Sequence, residues 1–202
     1  MNGNADRIIA LYERQAQHFD TDRSRDLAVE QRWLDRFISL LPLGARVLDI
    51  GCGHGEPMAR HLIEKGFDVC GVDSSPALIA LCRKRFPSHD WLIADMRTLA
   101  LGECFQGLLA WDSFFHLAHE DQRRMFAIFR KHAAPCAVLL FTSGPAHGER
   151  VGSYRGEPLY HASLSAAEYA HLLYANGFSV RKHLAEDPDC AFHTVWLAQM
   201  AG

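Results

Sequence analysis

The sequence lacks long hydrophobic runs, an apolar leader and extended clusters of basic residues. No stretch approaches the roughly 18 consecutive apolar residues that suggest a membrane span, and the polar segment from Met1 to Asp20 contains no core of a secretory signal peptide. The longest run of Lys and Arg is Arg83-Lys84-Arg85, and the formal net charge is -3. We therefore expect a soluble, cytoplasmic protein whose partners include neither membranes nor nucleic acids.

The sequence also lacks the spacings that metal sites and disulfide frameworks require. Its six cysteines are scattered, without a C-x-x-C pair, and its 12 histidines form no H-E-x-x-H pattern. Cysteines of cytosolic proteins of this size remain reduced as a rule. The sequence therefore predicts neither a metal centre nor a set of disulfides.

What is present is a chain of 202 residues, 49% of them hydrophobic, which is enough for one domain with a substantial core. Short apolar runs that predict strands alternate with amphipathic patterns that predict helices. The predicted strands cover residues 46–50, 67–72, 91–94, 105–111 and 137–141. The predicted helices cover residues 27–41, 57–65, 76–85 and 120–133. This alternation is typical of βαβ units and indicates an α/β fold with a largely parallel sheet.

The last third of the sequence follows a different pattern. Residues 142–164 show no periodicity and are rich in glycine, so we expect a loop without regular structure there. Ser165 and Glu168 form a capping box that predicts the start of a helix. Two further strands, 178–185 and 192–199, are separated by a short turn-rich connection and are expected to pair in antiparallel fashion.

The most informative segment is Val47-Leu-Asp-Ile-Gly-Cys-Gly-His-Gly55, in which a predicted strand ends in a turn that contains Gly51, Gly53 and Gly55. Glycines let the backbone approach a ligand closely, because no Cβ intervenes. Ligands of open parallel sheets bind beyond the carboxyl ends of the strands. The next predicted strand ends at Asp73, an acid that is placed to bind both hydroxyls of a ribose. The segment therefore predicts a nucleoside site.

Two nucleoside cofactors compete for this turn. Nicotinamide enzymes use G-x-G-x-x-G to approach a pyrophosphate, but here the third glycine comes one residue early and Glu56 occupies its place. A carboxylate beside a pyrophosphate is repulsive, and Asp49 is also poorly placed for an anion. S-adenosylmethionine has no phosphate and carries an ammonium and a sulfonium, which suit nearby carboxylates. The residues favour S-adenosylmethionine, with an NAD(P)-dependent oxidoreductase as the alternative.

Four segments, in order, resemble the class I S-adenosylmethionine-dependent methyltransferases. They are the glycine turn, Gly71-Val-Asp-Ser-Ser-Pro-Ala-Leu-Ile79, Ala94-Asp-Met96 and Leu109-Ala-Trp-Asp-Ser-Phe-Phe-His-Leu117. The resemblance implies a Rossmann-like three-layer αβα sandwich, with a mostly parallel seven-stranded sheet whose last strand is antiparallel. It implies a single methyltransferase domain over residues 1–202. Its parts are a helical cap (1–41), a cofactor-binding core (42–141) and a lid-like loop, helix and terminal strand pair (142–202).

The same resemblance implies a set of residues for S-adenosylmethionine and its product S-adenosylhomocysteine. These residues are Asp49, Gly51, Cys52, Gly53, Gly55, Asp73, Ser74, Asp95, Met96 and Trp111. Asp49 is expected to help hold the methionine ammonium and Asp73 to bind the ribose. Asp95 and Met96 are expected at the adenine.

The candidate catalytic residues are Asp112, His116 and His161. Methyl transfer is an in-line displacement at a sulfonium carbon, in which the protein aligns the acceptor and takes a proton from a hydroxyl or an amine. Residues 142–164 are expected to close over the acceptor as a lid. The absence of a strong basic cluster favours a small-molecule acceptor, and methylation at O, N, C or S stays open. A non-catalytic S-adenosylmethionine-binding protein is the further alternative.

Overall fold

The computed structural model describes residue 3 and residues 5–202 of the chain. Its strands are β1 (Arg46–Ile50), β2 (Asp68–Asp73), β3 (Asp90–Ile93), β4 (Phe105–Ala110), β5 (Ala133–Ser143), β6 (Gly148–Tyr154), β7 (Glu157–Ser163), β8 (Phe178–Asp187) and β9 (His193–Met200). Its helices are α1 (Ile8–Arg14), α2 (Ala16–Asp22), α3 (Gln31–Ser39), α4 (Met58–Glu64), α5 (Pro76–Arg85), α6 (His119–His132) and α7 (Ala166–Ala175). Within this described part of the chain, no helix is long and apolar enough to cross a membrane.

Seven strands form one sheet in the order β3-β2-β1-β4-β5-β9-β8. The pairs among β1 to β5 are parallel, whereas β9 runs antiparallel to both β5 and β8. The predicted sheet, with its antiparallel last strand, is confirmed. Strand order reverses between β1 and β4, so the turns that follow these two strands diverge and leave a crevice.

Helices cover both faces of the sheet, which confirms the three-layer sandwich. One apolar cluster joins α3, α4 and α5 to one face and includes Trp33, Phe37, Leu62 and Val138. A second cluster joins α6 and α7 to the other face and is dominated by aromatic rings such as Phe126. The central strands are buried on both sides, which explains their continuous apolar sequence.

The helices of the predicted cap over residues 1–41 have two different surroundings in the structure. Trp33, Leu34 and Phe37 of α3 are fully buried in the cluster under the sheet, so α3 belongs to a layer of the sandwich. The capping part consists of α1 and α2, whose side chains line the cleft at the carboxyl ends of the strands. Residues 1, 2 and 4 of the predicted cap lie outside the described residues.

The expectation of an irregular loop over residues 142–164 is wrong. The end of β5 and the antiparallel hairpin β6–β7, paired from Gly148–Ser163 to Tyr154–Glu157, occupy this segment. Most side chains of β6 are exposed or half-buried, so they show no alternation of apolar and polar residues. The hairpin is tied to the capping helices, since Arg14 and Gln15 both bind Glu157. The predicted lid segment is thus a folded sheet beside the cleft.

Candidate functional site

A cleft of about 800 Å³ lies between the capping helices and the carboxyl ends of β1, β2 and β4. A second cavity of about 840 Å³ adjoins it. Both are lined by Tyr12, Phe19, Gly51, Gly53, Asp112 and His116. Together they form one elongated site at the point where the strand order reverses, as expected for open α/β sheets.

The glycine turn forms the floor of this site. Gly51 and Gly53 have φ angles of 76° and 56°, in the left-handed region that favours glycine. A Cβ on Gly51 would lie 2.3 Å from Cβ of Ser113, and one on Gly53 would lie 3.2 Å from the ring of Phe19. Gly55 lies outside both cavities and packs toward Phe86. The structure therefore brings Gly51 and Gly53 into the cleft, but not Gly55.

Backbone amides of the turn are already engaged within the protein. The amides of Gly51 and Cys52 both donate to the carbonyl of Val72, at 2.8 and 3.0 Å, and that of Gly53 donates to Oδ2 of Asp73. A pyrophosphate site needs free N–H groups that point at the ligand. This turn therefore lacks the amides that a dinucleotide requires at these positions, in agreement with the preference inferred from Glu56.

Asp73 closes β2 and faces the cleft. Its two oxygens accept the amides of Gly53 at 3.0 Å and of Ser75 at 2.9 Å, which fixes the orientation of the carboxylate. Each carboxylate oxygen has further lone-pair capacity. Burial raises its pKa, and the bonds from Ser75, Gly53 and Ser74 oppose that rise. The group is therefore a rigidly held hydrogen-bond acceptor that faces the cleft.

Asp49 is buried at the end of β1 and lines the second cavity. Burial and the negative charge of Asp73 raise its pKa to about 7. Among the described residues, Asp73 is the only charge that shifts the pKa of Asp49. A buried pair of acids is unfavourable without a compensating cation. The end of the site beside Asp49 is therefore suited to receive positive charge.

The predicted adenine end lies after β3. Asp95 and Met96 line the first cavity beside Ser74. The carboxylate of Asp95 is engaged by its neighbour Arg97, with Nη2 at 2.7 Å from Oδ2. Although burial would raise the pKa of Asp95, this contact lowers it. An adenine amino group would therefore share Asp95 with Arg97.

Two other predicted cofactor residues, Trp111 and Cys52, line the second cavity together with Asp49. Trp111 is buried, stacks on His193 with ring centroids 5.6 Å apart, and its Nε1 has no hydrogen-bond partner within the described residues. An orphaned buried donor beside a cavity indicates a place for a polar ligand atom. The thiol of Cys52 points under the turn, 2.9 Å from where a Cβ on Gly71 would lie.

His116 lies in a short helical turn after β4, where Tyr12 from α1 reaches it. Its Nδ1 lies 2.8 Å from the carbonyl oxygen of Tyr160 and must donate, because a carbonyl only accepts. Nε2 therefore presents its lone pair to the hydroxyl of Tyr12, at 3.0 Å. Burial lowers the pKa of His116 to about 4, and burial raises that of Tyr12. At neutral pH the pair is a protonated phenol that donates to a neutral imidazole.

His161 on β7 completes the wall opposite the cofactor turn. Its ring lies 4.8 Å from that of His116 and 5.1 Å from that of Phe115, between ring centroids. Burial lowers the pKa of His161, so its imidazole is also held toward the neutral form. The structure therefore brings His116 and His161 together.

Asp112 sits in the same cavity but in a different chemical state. Its Oδ1 is 3.0 Å from Nε2 of His193, and its Oδ2 is 3.3 Å from Nη1 of Arg23. Although burial would raise its pKa, the contact with His193 lowers it, and this contact raises the pKa of His193 to about 10. A carboxylate held between two cations is a weak base. His116 is also a weak base, but its Nε2 accepts from a hydroxyl that lines the cleft and is not engaged by a cation, so the geometry favours His116 over Asp112 as proton acceptor.

We expect the Asp112–His193 pair to stabilise the fold in a pH-dependent way. His193→Gln should lower the free energy of unfolding by about 2 kcal/mol at neutral pH, because it leaves the largely buried carboxylate of Asp112 without this cationic partner. Because the folded-state pKa of His193 is raised from 6.5 to about 10, its contribution is complete below pH 6.5 and lost as pH rises toward 10. Urea unfolding at several pH values measures this.

A double-mutant cycle controls this prediction. Asp112→Asn alone should cost a similar amount, and the double variant should cost less than the sum of the two. Additive losses, or a His193→Gln cost that does not change between pH 6 and 10, would contradict the pairing.

Sequence reasoning missed three residues of this site on the capping segment, namely Tyr12, Phe19 and Arg23. Their spacings of seven and four residues are those of one helical face, which is the signal that the sequence contains, although in the structure they lie on α1, on α2 and directly after α2. Their role depends on partners far along the chain, as for Tyr12 and His116, which are 104 residues apart. Sequence reasoning also missed His193, because it lies in a segment that was predicted only as a terminal strand.

The known proteins that this chain resembles include methyltransferases. Residues 47–136 match the family described as methyltransferase domain. Magnesium-protoporphyrin O-methyltransferase of Rhodobacter capsulatus is 34% identical over 50% of this chain and 46% of its own length. A dTDP-4-amino-2,3,4,6-tetradeoxy-D-glucose N,N-dimethyltransferase of Saccharopolyspora spinosa is 29% identical over 64% of this chain and 59% of its own. The chain thus spans about half the length of such curated relatives.

Solved structures share the fold over nearly the whole chain. The 1,6-didemethyltoxoflavin-N1-methyltransferase of Burkholderia thailandensis, solved with 1,6-didemethyltoxoflavin and S-adenosylhomocysteine, superposes with a TM-score of 0.75 at 18% identity. The match covers 98% of this chain and 89% of that one. The fold is that of the Rossmann-like methyltransferases. In sequence, residues 47–136 resemble the methyltransferase domain.

Proposed function

We propose that this protein transfers a methyl group from S-adenosylmethionine to a small-molecule acceptor. The observation that carries the proposal is the pairing, in one cleft, of a cation-seeking acid at the glycine turn, Asp49, with a neutral proton-accepting pair, Tyr12 and His116. The first suits a sulfonium nucleoside, and the second suits a nucleophile that loses a proton. The curated relatives include both O- and N-methyltransferases, so they do not identify the atom that this protein methylates.

Each part of the cofactor has a matching group in the cleft. The vicinal hydroxyls of the ribose fit Asp73, and the adenine fits the pocket at Asp95 and Met96. The α-ammonium fits Asp49. Arg23 lines the same cavity, pairs with Asp112 and Glu30 through long contacts of 3.3 Å, and keeps guanidinium donors for the α-carboxylate. The ammonium and the carboxylate of the methionine part thus each face a protein group of opposite charge.

The protein's part in the reaction is to align the acceptor and to take its proton. When bound, S-adenosylmethionine supplies a methyl group on an already activated sulfur. The hydroxyl of Tyr12 can accept a proton from the acceptor while it gives its own to Nε2 of His116. His161 and Phe115 shape the wall that holds the acceptor in line, and the hairpin that carries His161 shields it from water.

The engaged amides of Gly51, Cys52 and Gly53 argue against the NAD(P)-dependent oxidoreductase. A purely cofactor-binding protein would have no use for the hydrogen-bonded pair of Tyr12 and His116 beside the methionine end. Small molecules remain the favoured acceptors, since the chain has no basic run longer than three residues.

We expect the affinity for S-adenosylmethionine to fall as the pH drops below about 7. Asp49 binds the cation in its ionised form, and its pKa of about 7 in the free protein means that acid competes with the ligand, by up to about tenfold per pH unit. Calorimetry at pH 7 in two buffers of different ionisation enthalpy should show release of about half a proton. Asp49→Asn should remove both effects. An affinity that is flat from pH 5 to 8 would contradict this assignment.

The proposed function is tested by incubating the protein with S-adenosylmethionine that carries a deuterated methyl group and a metabolite extract of the source organism. We expect at least one metabolite to gain the labelled methyl group, as detected by mass spectrometry, and to gain it far more slowly with the His116→Phe variant. Tight binding of the cofactor without any labelled product would support the non-catalytic alternative.

A further inference from the structure

A third cavity, a groove of about 1220 Å³, opens beside the acceptor end of the site. It runs between the hairpin β6–β7 and the segment that follows β5, from Ser143 to Ala146. Phe115 and His161 line both this groove and the cavity that contains His116. The groove and the inner cavity therefore adjoin at these two side chains, next to the place where the acceptor is proposed to present its reacting atom.

Strand register decides which hairpin side chains face the groove. Arg150 lies opposite His161 and Gly152 opposite Leu159, so these four residues share one face of the hairpin. A Cβ on Gly152 would meet only the carbonyl oxygen of Leu159, at 3.7 Å, which leaves the wall of the groove open there. A molecule that extends from His161 along this face would pass over Gly152 and beside Arg150.

Arg150 is the charged residue that lines the groove on this face of the hairpin. It is exposed, and within the described residues it forms no ion pair. Its neighbour Glu149 also lines the groove, but it points from the other face of β6, where its Oε1 is 3.7 Å from Nδ1 of His119. The inner cavity carries the acids Asp49, Glu56 and Asp112 together with the cations Arg23 and His193. In the groove, by contrast, Arg150 is the cation on the face that carries His161.

We infer that the acceptor is an elongated molecule whose remote end carries an anionic group, a phosphate or a carboxylate, that binds Arg150 in this groove. The nucleophilic end lies at Tyr12 and His116, and the middle passes His161 and Gly152. This inference rests on the proposed methyltransferase function and adds the chemical class of the acceptor to it. Arg150 and Gly152 are then specificity-determining residues.

The class of acceptor is tested by fractionating the metabolite extract before the labelling reaction. We expect the label to enter compounds that an anion exchanger retains. Phosphatase treatment of the extract distinguishes the two sources, since it abolishes labelling of a phosphate-bearing acceptor and spares a carboxylate. Labelling confined to the unretained fraction would overturn the inference alone, whereas no labelling of the whole extract would overturn the proposed function and, with it, the inference.

The groove itself is tested by substitutions at limiting extract concentration. Gly152→Trp should slow labelling at least about tenfold by filling the path, while Val151→Trp, on the other face of the same strand and half exposed, should not. Arg150→Gln should slow labelling about tenfold by removing a charged hydrogen bond, and Arg150→Lys should restore most of the rate. All four should bind S-adenosylhomocysteine like the wild type. Unchanged labelling by both Gly152→Trp and Arg150→Gln would overturn the inference.

Discussion

Asp73→Ala is expected to weaken the binding of S-adenosylhomocysteine by about two orders of magnitude. The substitution removes the acceptor of two ribose hydroxyls, each a charged hydrogen bond of about 1.5 kcal/mol or more. It also releases the amide of Gly53, which Asp73 holds at 3.0 Å, so the cofactor turn loses part of its support. Isothermal titration calorimetry of the wild type and the variant measures the change.

A matched control lies on the same strand. Asp68→Ala removes an acid from the opposite, exposed end of β2, where its carboxylate pairs with Arg46, and should leave the affinity within about twofold. Circular dichroism and thermal melts of both variants should show a folded protein. An Asp73→Ala protein that binds like the wild type would remove Asp73 from the ribose site.

His116→Phe is expected to lower the turnover number by a factor of about 10² to 10⁴ and to leave the affinity for S-adenosylhomocysteine nearly unchanged. The variant keeps an aromatic ring but removes the acceptor for the hydroxyl of Tyr12. Tyr12→Phe should produce a loss in the same direction. If the two side chains act as one relay, the double variant should be hardly slower than His116→Phe alone.

The pH dependence of turnover provides a further check. Because burial holds the pKa of His116 at about 4, its imidazole is neutral throughout the pH range above 5, and its protonation should not slow the reaction there.

His171→Phe, on the exposed side of α7, is the control for His116→Phe and should keep the wild-type rate. Equal turnover in His116→Phe and His171→Phe would mean that the acceptor needs no proton acceptor at this position.

The cofactor half of the site could be predicted from the sequence because its determinants are local. A strand, a glycine turn and an acid at the end of the next strand lie within about thirty residues, and the parallel sheet brings them together by register alone. The antiparallel last strand followed from the short connection before it. Here local pattern and tertiary structure agree.

The acceptor half could not be predicted in the same way, because its determinants are distant in the sequence. The hairpin that carries Arg150 and His161 has mostly exposed side chains on β6, and its glycines suggest irregular structure. Tyr12 acquires a role only because α1 crosses the carboxyl ends of the strands. The charge state of Asp112 depends on His193, 81 residues away, and no pattern around Asp112 reveals that partner.

The account rests on the recognition of a sulfonium nucleoside by the glycine turn and the two acids beside it. Calorimetric titration of the purified protein with S-adenosylmethionine, S-adenosylhomocysteine and NAD in parallel tests this most directly. We predict one site per chain for each of the first two ligands and no measurable heat with NAD. Binding of NAD in preference to S-adenosylmethionine would contradict it. So would the failure of both S-adenosylmethionine and S-adenosylhomocysteine to bind.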